Sequence, residues 1–361
     1  LSSTRHLVYI ASRNTVQGTP IGGKMLDTLV FVNNEISARI AYAVLQQKGI
    51  ACNRVALFLT RHLEVPWFKD CAIVVDYGRR PSFSLVGQSA LVGYFWKASR
   101  LLCRLLDSGN IRTCLLVNND NPLMNHVFAV SSEHPEIEIS VLAEGIMNFQ
   151  DIQLKNRDRW RTKLKPVLAA FLGLKWQEPT GHLSGIFEPA AKALYTFATA
   201  GVVAPKEKVR VVSFEPVTVT SSADSDAALI VMTGLHLWMK EADYRDFSDR
   251  FIRWLETLEY KKYYVKRHPR ANDGPLLKRL ERFPIIGEGL SLEDMAPDLP
   301  ARTILGFCCT GLVTLRLIRP DLRCIDFGSD NYCDTAYFGD RSVETLLKSV
   351  GVDLVPSAPY S

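Results

Sequence analysis

Ala227-Ala228-Leu229-Ile230-Val231-Met232 is an unbroken apolar run too short for a helix, and Gly234 closes it. A run of this kind, bounded by turn formers, reads as a strand buried on both faces of a sheet. The same signal opens the chain once before, at Thr28-Leu29-Val30-Phe31-Val32. Between the two lies Ala204-Pro205-Lys206-Glu207-Lys208, a polar stretch with the composition of a linker. The chain therefore begins a series of buried strands twice, which implies two domains rather than one long one.

Each series alternates strands with helices. After the first strand come a helix over Glu35 to Lys48 and strands over Arg54 to Leu59 and Cys71 to Asp76. A helix over Ser89 to Leu106 and strands over Thr113 to Val117 and Glu138 to Leu142 follow. Asp151 to Pro205 reads as helical, rich in Lys, Arg and Trp, with no strand. After Met232 come a helix over Ala242 to Leu258, a strand at Tyr263 to Val265 and a helix over Gly274 to Glu281. A strand over Thr303 to Phe307, a last strand at Cys324 to Phe327 and a closing helix over Ser342 to Val350 complete the series. Alternation of this sort predicts parallel sheets covered by helices. The expected fold is GT-B: α/β, two doubly wound Rossmann-like domains with the active site in the cleft between them. The expected bounds are 25–205 and 206–361, with Leu1 to Lys24 a leader ending in a glycine-rich stretch before Met25.

Composition narrows the classes. The chain has 361 residues, 47% of them hydrophobic, enough for two cores of ordinary size. Its net charge of +5 is spread thinly, so it suits anionic small ligands or an anionic membrane surface and does not call for nucleic acid. The eight cysteines form no CxxC pair, which fits reduced thiols of a cytoplasmic protein and argues against zinc or a disulfide framework. No apolar run reaches the ~18 residues of a membrane span.

Candidate chemistry centres on Lys261-Lys262-Tyr263-Tyr264-Val265-Lys266-Arg267-His268-Pro269-Arg270. A short strand runs into a cationic loop in which Pro269 restricts its own φ and biases His268 toward extended backbone. The imidazole is thus offered at a strand's carboxyl end, the edge where open α/β sheets bind ligands. Lys266, Arg267 and Arg270 favour a phosphate there, and a titratable donor beside a phosphate suits a reaction that expels a nucleotide. His134-Pro135, by contrast, sits in a polar loop and reads as surface structure.

Three further elements have suitable positions. Glu144-Gly145 closes the strand that starts near Glu138. Ser291-Leu292-Glu293 lies downstream of His268, where Glu293 also fits the first turn of a helix. Cys309-Thr310-Gly311 marks a strand-to-helix turn, where a hydroxyl and backbone N–H groups suit an anion or simply cap the helix. Asn33-Asn34 after the first strand fit either a turn or a pocket border. Lys155 to Lys165, which includes Arg159 and Lys163, fits a solvated helix face, an anionic acceptor or lipid headgroups.

In this order, acid-Gly, Lys-x-His-Pro-Arg, Ser-x-Glu and a small hydroxylated turn, the chain resembles bacterial GT-B sialyltransferases, the capsular polysialyltransferase and lipooligosaccharide sialyltransferase families. The likeness spans Met25 to Phe338 and is sharpest around Glu144 and from Ala228 to Asp326. Two departures stand out. Ala143 replaces the first acid of the family's acid-acid-Gly element, and Gly311 replaces the second of its paired phosphate hydroxyls.

The resemblance implies transfer of sialic acid from CMP-sialic acid to a glycan of the bacterial surface, capsule or lipooligosaccharide, with inversion and without a metal or other cofactor. Glu144 is then the base and His268 the acid or phosphate stabiliser. Gly234, Lys266, Pro269, Glu293, Thr310 and Gly311 would surround the donor nucleotide, and Asn34, Arg159 and Lys163 the acceptor side. The first domain would face the acceptor and the second the CMP-sugar. The location would be cytoplasmic, with a peripheral place on the inner membrane also compatible. Transfer of another CMP-linked ulosonic acid such as Kdo, and non-catalytic nucleotide or sugar binding in capsule assembly, are the alternatives.

Overall fold

The structure, a computed structural model, describes residues 26–61, 63, 65–77, 85–150, 152, 159–235, 239–268, 274–307, 309–329 and 343–360, without the side chains of 85–92, 159–163 and 359. The expected leader 1–24, Pro269, Arg270, Cys308 and Cys333 lie outside the described residues. The chain folds into two compact α/β units. The first takes the described residues up to Glu144, with Ile152–Phe197 and Ala204–Ser213; the second takes Gly145–Asp151, Ala198–Val203 and the chain from Phe214 onward.

The first unit is built on seven parallel strands, β1 (Thr28–Val32), β2 (Val55–Leu59), β3 (Ile73–Asp76), β4 (Thr113–Leu116), β5 (Glu138–Leu142), β6 (Ala191–Thr196) and β7 (Val209–Val211). Their order is β3-β2-β1-β4-β5-β6-β7, every pair parallel. Among the described residues its helices are α1 (Glu35–Gln47), α2 (Leu85–Asp107), α3 (Pro122–Ser131) and α4 (Arg159–Phe171). The chain works outward from β1 to β3 and then returns to the other side of β1 at β4. The carboxyl ends of β1 and β4 thus flank the point where the sheet order reverses, the place where doubly wound sheets bind ligands. All five residues of β1 and all five of β2 are buried, and Phe31 stacks on Phe58 at 4.6 Å.

Two expectations need correction here. The stretch Asp151 to Pro205 contains a strand, β6, although it reads as strand-free. Lys192 is exposed within β6 and Tyr195 half-buried, so no continuous apolar run announces it; pairing with β5 makes it a strand. The sequence bound at Pro205 also falls early, because β7 adds to the first sheet by pairing with β6 and the passage to the second unit comes after Ser213.

The second unit has five parallel strands, β8 (Asp224–Val231), β9 (Lys262–Lys266), β10 (Ala301–Gly306), β11 (Arg323–Phe327) and β12 (Asp353–Val355), in the order β12-β11-β10-β8-β9. Counted from its own first strand this is the flavodoxin-like order, with the reversal between β8 and β10. The last strand is β12 rather than the one ending at Phe327; at three residues it is too short to read as a buried run. Among the described residues the unit also carries helices α5 (Glu241–Glu256), α6 (Pro275–Leu280), α7 (Thr310–Ile318) and α8 (Val343–Ser349).

Tyr244, Phe247, Phe251 and Leu255 fall at helical spacing on the buried face of α5. There they meet Phe307 and Phe327 in an aromatic core, with Trp254 stacked on Phe327 at 4.9 Å. Edge and offset ring contacts of this kind add about 0.5–1.5 kcal/mol per pair beyond area burial.

Candidate active site

In the first unit, Asn34 is the residue where β1 becomes α1. Its Oδ1 accepts the Ser37 N–H at 2.9 Å while Ser37 Oγ accepts the Asn34 N–H at 3.2 Å, a reciprocal cap that starts the helix. With its oxygen so committed, the Asn34 Nδ2 donates to the carbonyl oxygen of Glu144 at 3.1 Å. Asn118, just past β4, works in the same way. Its Oδ1 accepts the N–H groups of Asp120 and Asn121 at 3.2 and 3.1 Å, and its Nδ2 donates to Glu144 Oε2 at 3.4 Å. The half-buried Glu144 after β5 is therefore held from the ends of both strands that flank the reversal. A carboxylate so placed can take a proton from a hydroxyl.

Asn118 was missed by the sequence reading. Its signal was the cluster Asn118-Asn119-Asp120-Asn121-Pro122 following an apolar strand, the composition of a turn that orients side chains. Arg159 and Lys163 lie on the backbone of α4, and their side chains are outside the described set.

In the second unit, Lys266 ends β9 with only 6% of its surface exposed. Burial pushes its ammonium pKa down, and the carboxylates of Glu293 and Glu288 pull part of that shift back. Arg267 follows with its Nη1 3.6 Å from Glu288 Oε1, and the half-buried His268 comes next. Thr233 Oγ1 donates to the Phe307 carbonyl at 3.3 Å and so ties the end of β8 to the end of β10, with buried Gly234 following it.

The turn from β10 into α7 is capped by Cys309, whose Sγ accepts the Gly311 N–H at 3.2 Å. Thr310 is the first helical residue rather than the cap. Burial raises the Cys309 thiol to about 11, with the charges of Glu293 and Asp326 acting in the same direction.

Ser291-x-Glu293 packs over this turn. Ser291 Oγ accepts the Asp294 N–H at 2.9 Å, which closes the loop, and Leu292 rests on Gly311 so tightly that a Cβ at Gly311 would come 2.7 Å from Leu292 Cδ2. This is a physical reason for glycine at that position. Thr310 meets a second glycine: Gly145 has φ +90°, and a Cβ there would lie 2.6 Å from Thr310 Cγ2. Thr310 Oγ1 accepts the Ile146 N–H at 3.3 Å.

The structure thus brings Lys266, Glu293, Thr310 and Gly311 together at the carboxyl edge of the second sheet, with Gly234 and His268 on the same edge. It brings Glu144 together with Asn34 at the carboxyl edge of the first. Pro269 is outside the described residues. Among the described residues no group of three or more His, Cys, Asp and Glu side chains is arranged to hold a metal ion.

A cavity of about 610 Å³ opens elsewhere in the first unit, beside Arg112 and Ile137 at the amino-terminal ends of β4 and β5. None of the residues expected to act lines it. Buried His126 does, and its Nδ1 accepts the Lys175 N–H at 2.9 Å.

No family model matches the chain, and no curated protein matches its sequence. Solved structures do match in fold. An α/β-galactoside α-2,3-sialyltransferase from the luminous marine bacterium Photobacterium phosphoreum is similar at 8% identity and a TM-score of 0.51, over 92% of this chain and 99% of that one. A putative UDP-N-acetylglucosamine 2-epimerase from Listeria monocytogenes gives 9% identity and 0.49, over 90% and 87%. MurG of Acinetobacter baumannii gives 10% and 0.44, over 93% and 87%. At such identities the likeness is one of fold. Together with the two parallel sheets it establishes the GT-B class, two Rossmann-like units in one chain.

Proposed function

We propose that this protein is an inverting glycosyltransferase that moves sialic acid from CMP-sialic acid to a bacterial surface glycan. One observation carries the reading. The acid-Gly, Lys-x-His, Ser-x-Glu and Thr-Gly elements lie far apart in sequence, yet each lies at a strand's carboxyl edge or packs against one, as a doubly wound enzyme requires. The sialyltransferase likeness adds to this at the level of fold.

In this mechanism Glu144 takes the proton from the acceptor hydroxyl. The oxygen then attacks the anomeric carbon from the face opposite CMP, and the carbon–oxygen bond to phosphate breaks. His268 stabilises or protonates the departing phosphate, supported by the charges of Lys266 and Arg267. Glu293 accepts hydrogen bonds from the ribose hydroxyls. Thr310 and the start of α7 face the phosphate, and Asn34 with the basic helix serves the acceptor side. The leaving group is a monophosphate, so no cation is needed to bridge a diphosphate. The reaction belongs in the cytoplasm, where CMP-sugars are the donors.

Release of CMP on incubation with CMP-sialic acid and with CMP-Kdo tests the assignment. Faster turnover of CMP-sialic acid supports it. Preference for CMP-Kdo would move the assignment to the other ulosonic acid. Neither transfer nor hydrolysis with any CMP-sugar would leave a binding protein.

A further inference from the structure

Eight large apolar side chains are exposed among the described residues, and four of them belong to α4. Leu164 (59% exposed), Val167 (65%), Leu168 (42%) and Phe171 (68%) stand at i, i+3, i+4 and i+7, a single stripe along the helix. An ordinary surface helix turns its larger apolar residues inward. This one buries Ala169, with Leu172 just past its end, and turns leucine, valine and phenylalanine outward. The Phe171 ring lies 6.1 Å from Trp96 of α2, and the Arg100 guanidinium sits 4.5 Å from that indole, so a cation borders the stripe's far end.

Charge indicates what covers the stripe. The helix sequence Arg159-Trp160-Arg161-Thr162-Lys163-Leu164-Lys165 carries four cations, and no acid occurs through Phe171. Of these cations, Lys165 pairs with Asp120. A second copy docked through the same stripe would set cations against cations with no acid in α4 to offset them. The helix has thirteen residues and does not span a bilayer, and no described helix is long and apolar enough to do so.

We propose that α4 is an interfacial anchor that docks the protein on an anionic lipid surface. The Leu164 to Phe171 stripe enters the boundary between headgroups and acyl chains, and the cationic sequence of the helix draws it to lipid phosphates. The Lys165–Asp120 pair ties this helix to the loop whose Asn118 holds the Glu144 carboxylate. If the protein is the transferase proposed above, the anchor brings the acceptor-side edge to acceptors carried in the membrane.

The test is co-sedimentation of the full chain with vesicles of phosphatidylcholine, with and without phosphatidylglycerol. No sugar donor is involved, so a failed transfer assay leaves the result standing. Binding is expected only when phosphatidylglycerol is present and is expected to weaken with salt. Leu164→Gln with Val167→Gln should weaken it at least about tenfold by removing buried apolar area, with unchanged thermal unfolding because both residues are exposed in the protein alone. Lys163→Glu should weaken it about fivefold or more. Absence of binding, equal binding to both vesicle types, or full binding by these variants would overturn the proposal. So would a dimer in sedimentation velocity that the glutamine pair dissociates while vesicle binding is unchanged.

Discussion

Glu144 and His268 should fail in different ways when replaced. Glu144→Gln keeps the side chain's shape and the hydrogen bond to its backbone from Asn34, but removes the base. Turnover should fall by ~10²–10⁴ while CMP binding stays near normal. On the proposed mechanism His268→Ala removes the group that faces the phosphate, so both turnover and CMP affinity should drop. Steady-state kinetics with calorimetry on CMP separate the two, and near-normal turnover of Glu144→Gln would place the base elsewhere.

A third residue sets a pH limit on stability. Burial, helped by the nearby Lys175 ammonium and opposed by Asp107, lowers His126 from 6.5 to about 4 in the folded protein. Between those values the unfolded chain binds the proton and the folded one does not, so stability falls as pH drops from about 6.5 toward 4. The loss is at most about 3 kcal/mol. His126→Gln should flatten this part of the stability-against-pH curve in denaturant titrations; an unchanged slope would assign the effect to other groups.

At the scale of elements, α1 links fold to chemistry through one side chain. Asn34→Ala loses the cap and should cost about 1 kcal/mol, lowering the melting temperature by roughly 2–4 °C for a unit of this size. Asn34→Ser can still cap but cannot reach the Glu144 carbonyl, so it should restore the melting temperature and leave turnover reduced. Recovery of both would show that Asn34 matters only to the helix.

Elements were legible in the sequence where one physical signal dominated. The strands at Thr28–Val32, Val55–Leu59 and Glu138–Leu142 are buried nearly throughout and read as apolar runs. Helix α3 did not read as a helix, because it is buried on every side and its apolar run lacks a polar face. Strand β6 was hidden by Lys192 and Tyr195, and β12 by its length. For the candidate site, Glu144, Lys266 and Glu293 were legible because each adjoins a recognisable strand or turn. Asn118 was not, because its use depends on β4 and β5 being neighbours, a long-range fact no local window contains. The capping role of Cys309 was likewise invisible, since the sequence offers a better cap in the adjacent Thr310.

At the scale of the whole molecule, the proposed donor of this GT-B chain leaves as a nucleoside monophosphate. Turnover should therefore persist in excess EDTA; loss that Mg²⁺ or Mn²⁺ restores would point to a diphosphate donor. On the proposed function the carboxyl edge of the second sheet holds CMP. Calorimetric titration of the intact protein with CMP, UDP, GDP and ADP tests it most directly. CMP should bind at least about tenfold tighter than any of the three diphosphates, a difference of about 1.4 kcal/mol. Tighter binding of a diphosphate nucleotide would contradict it.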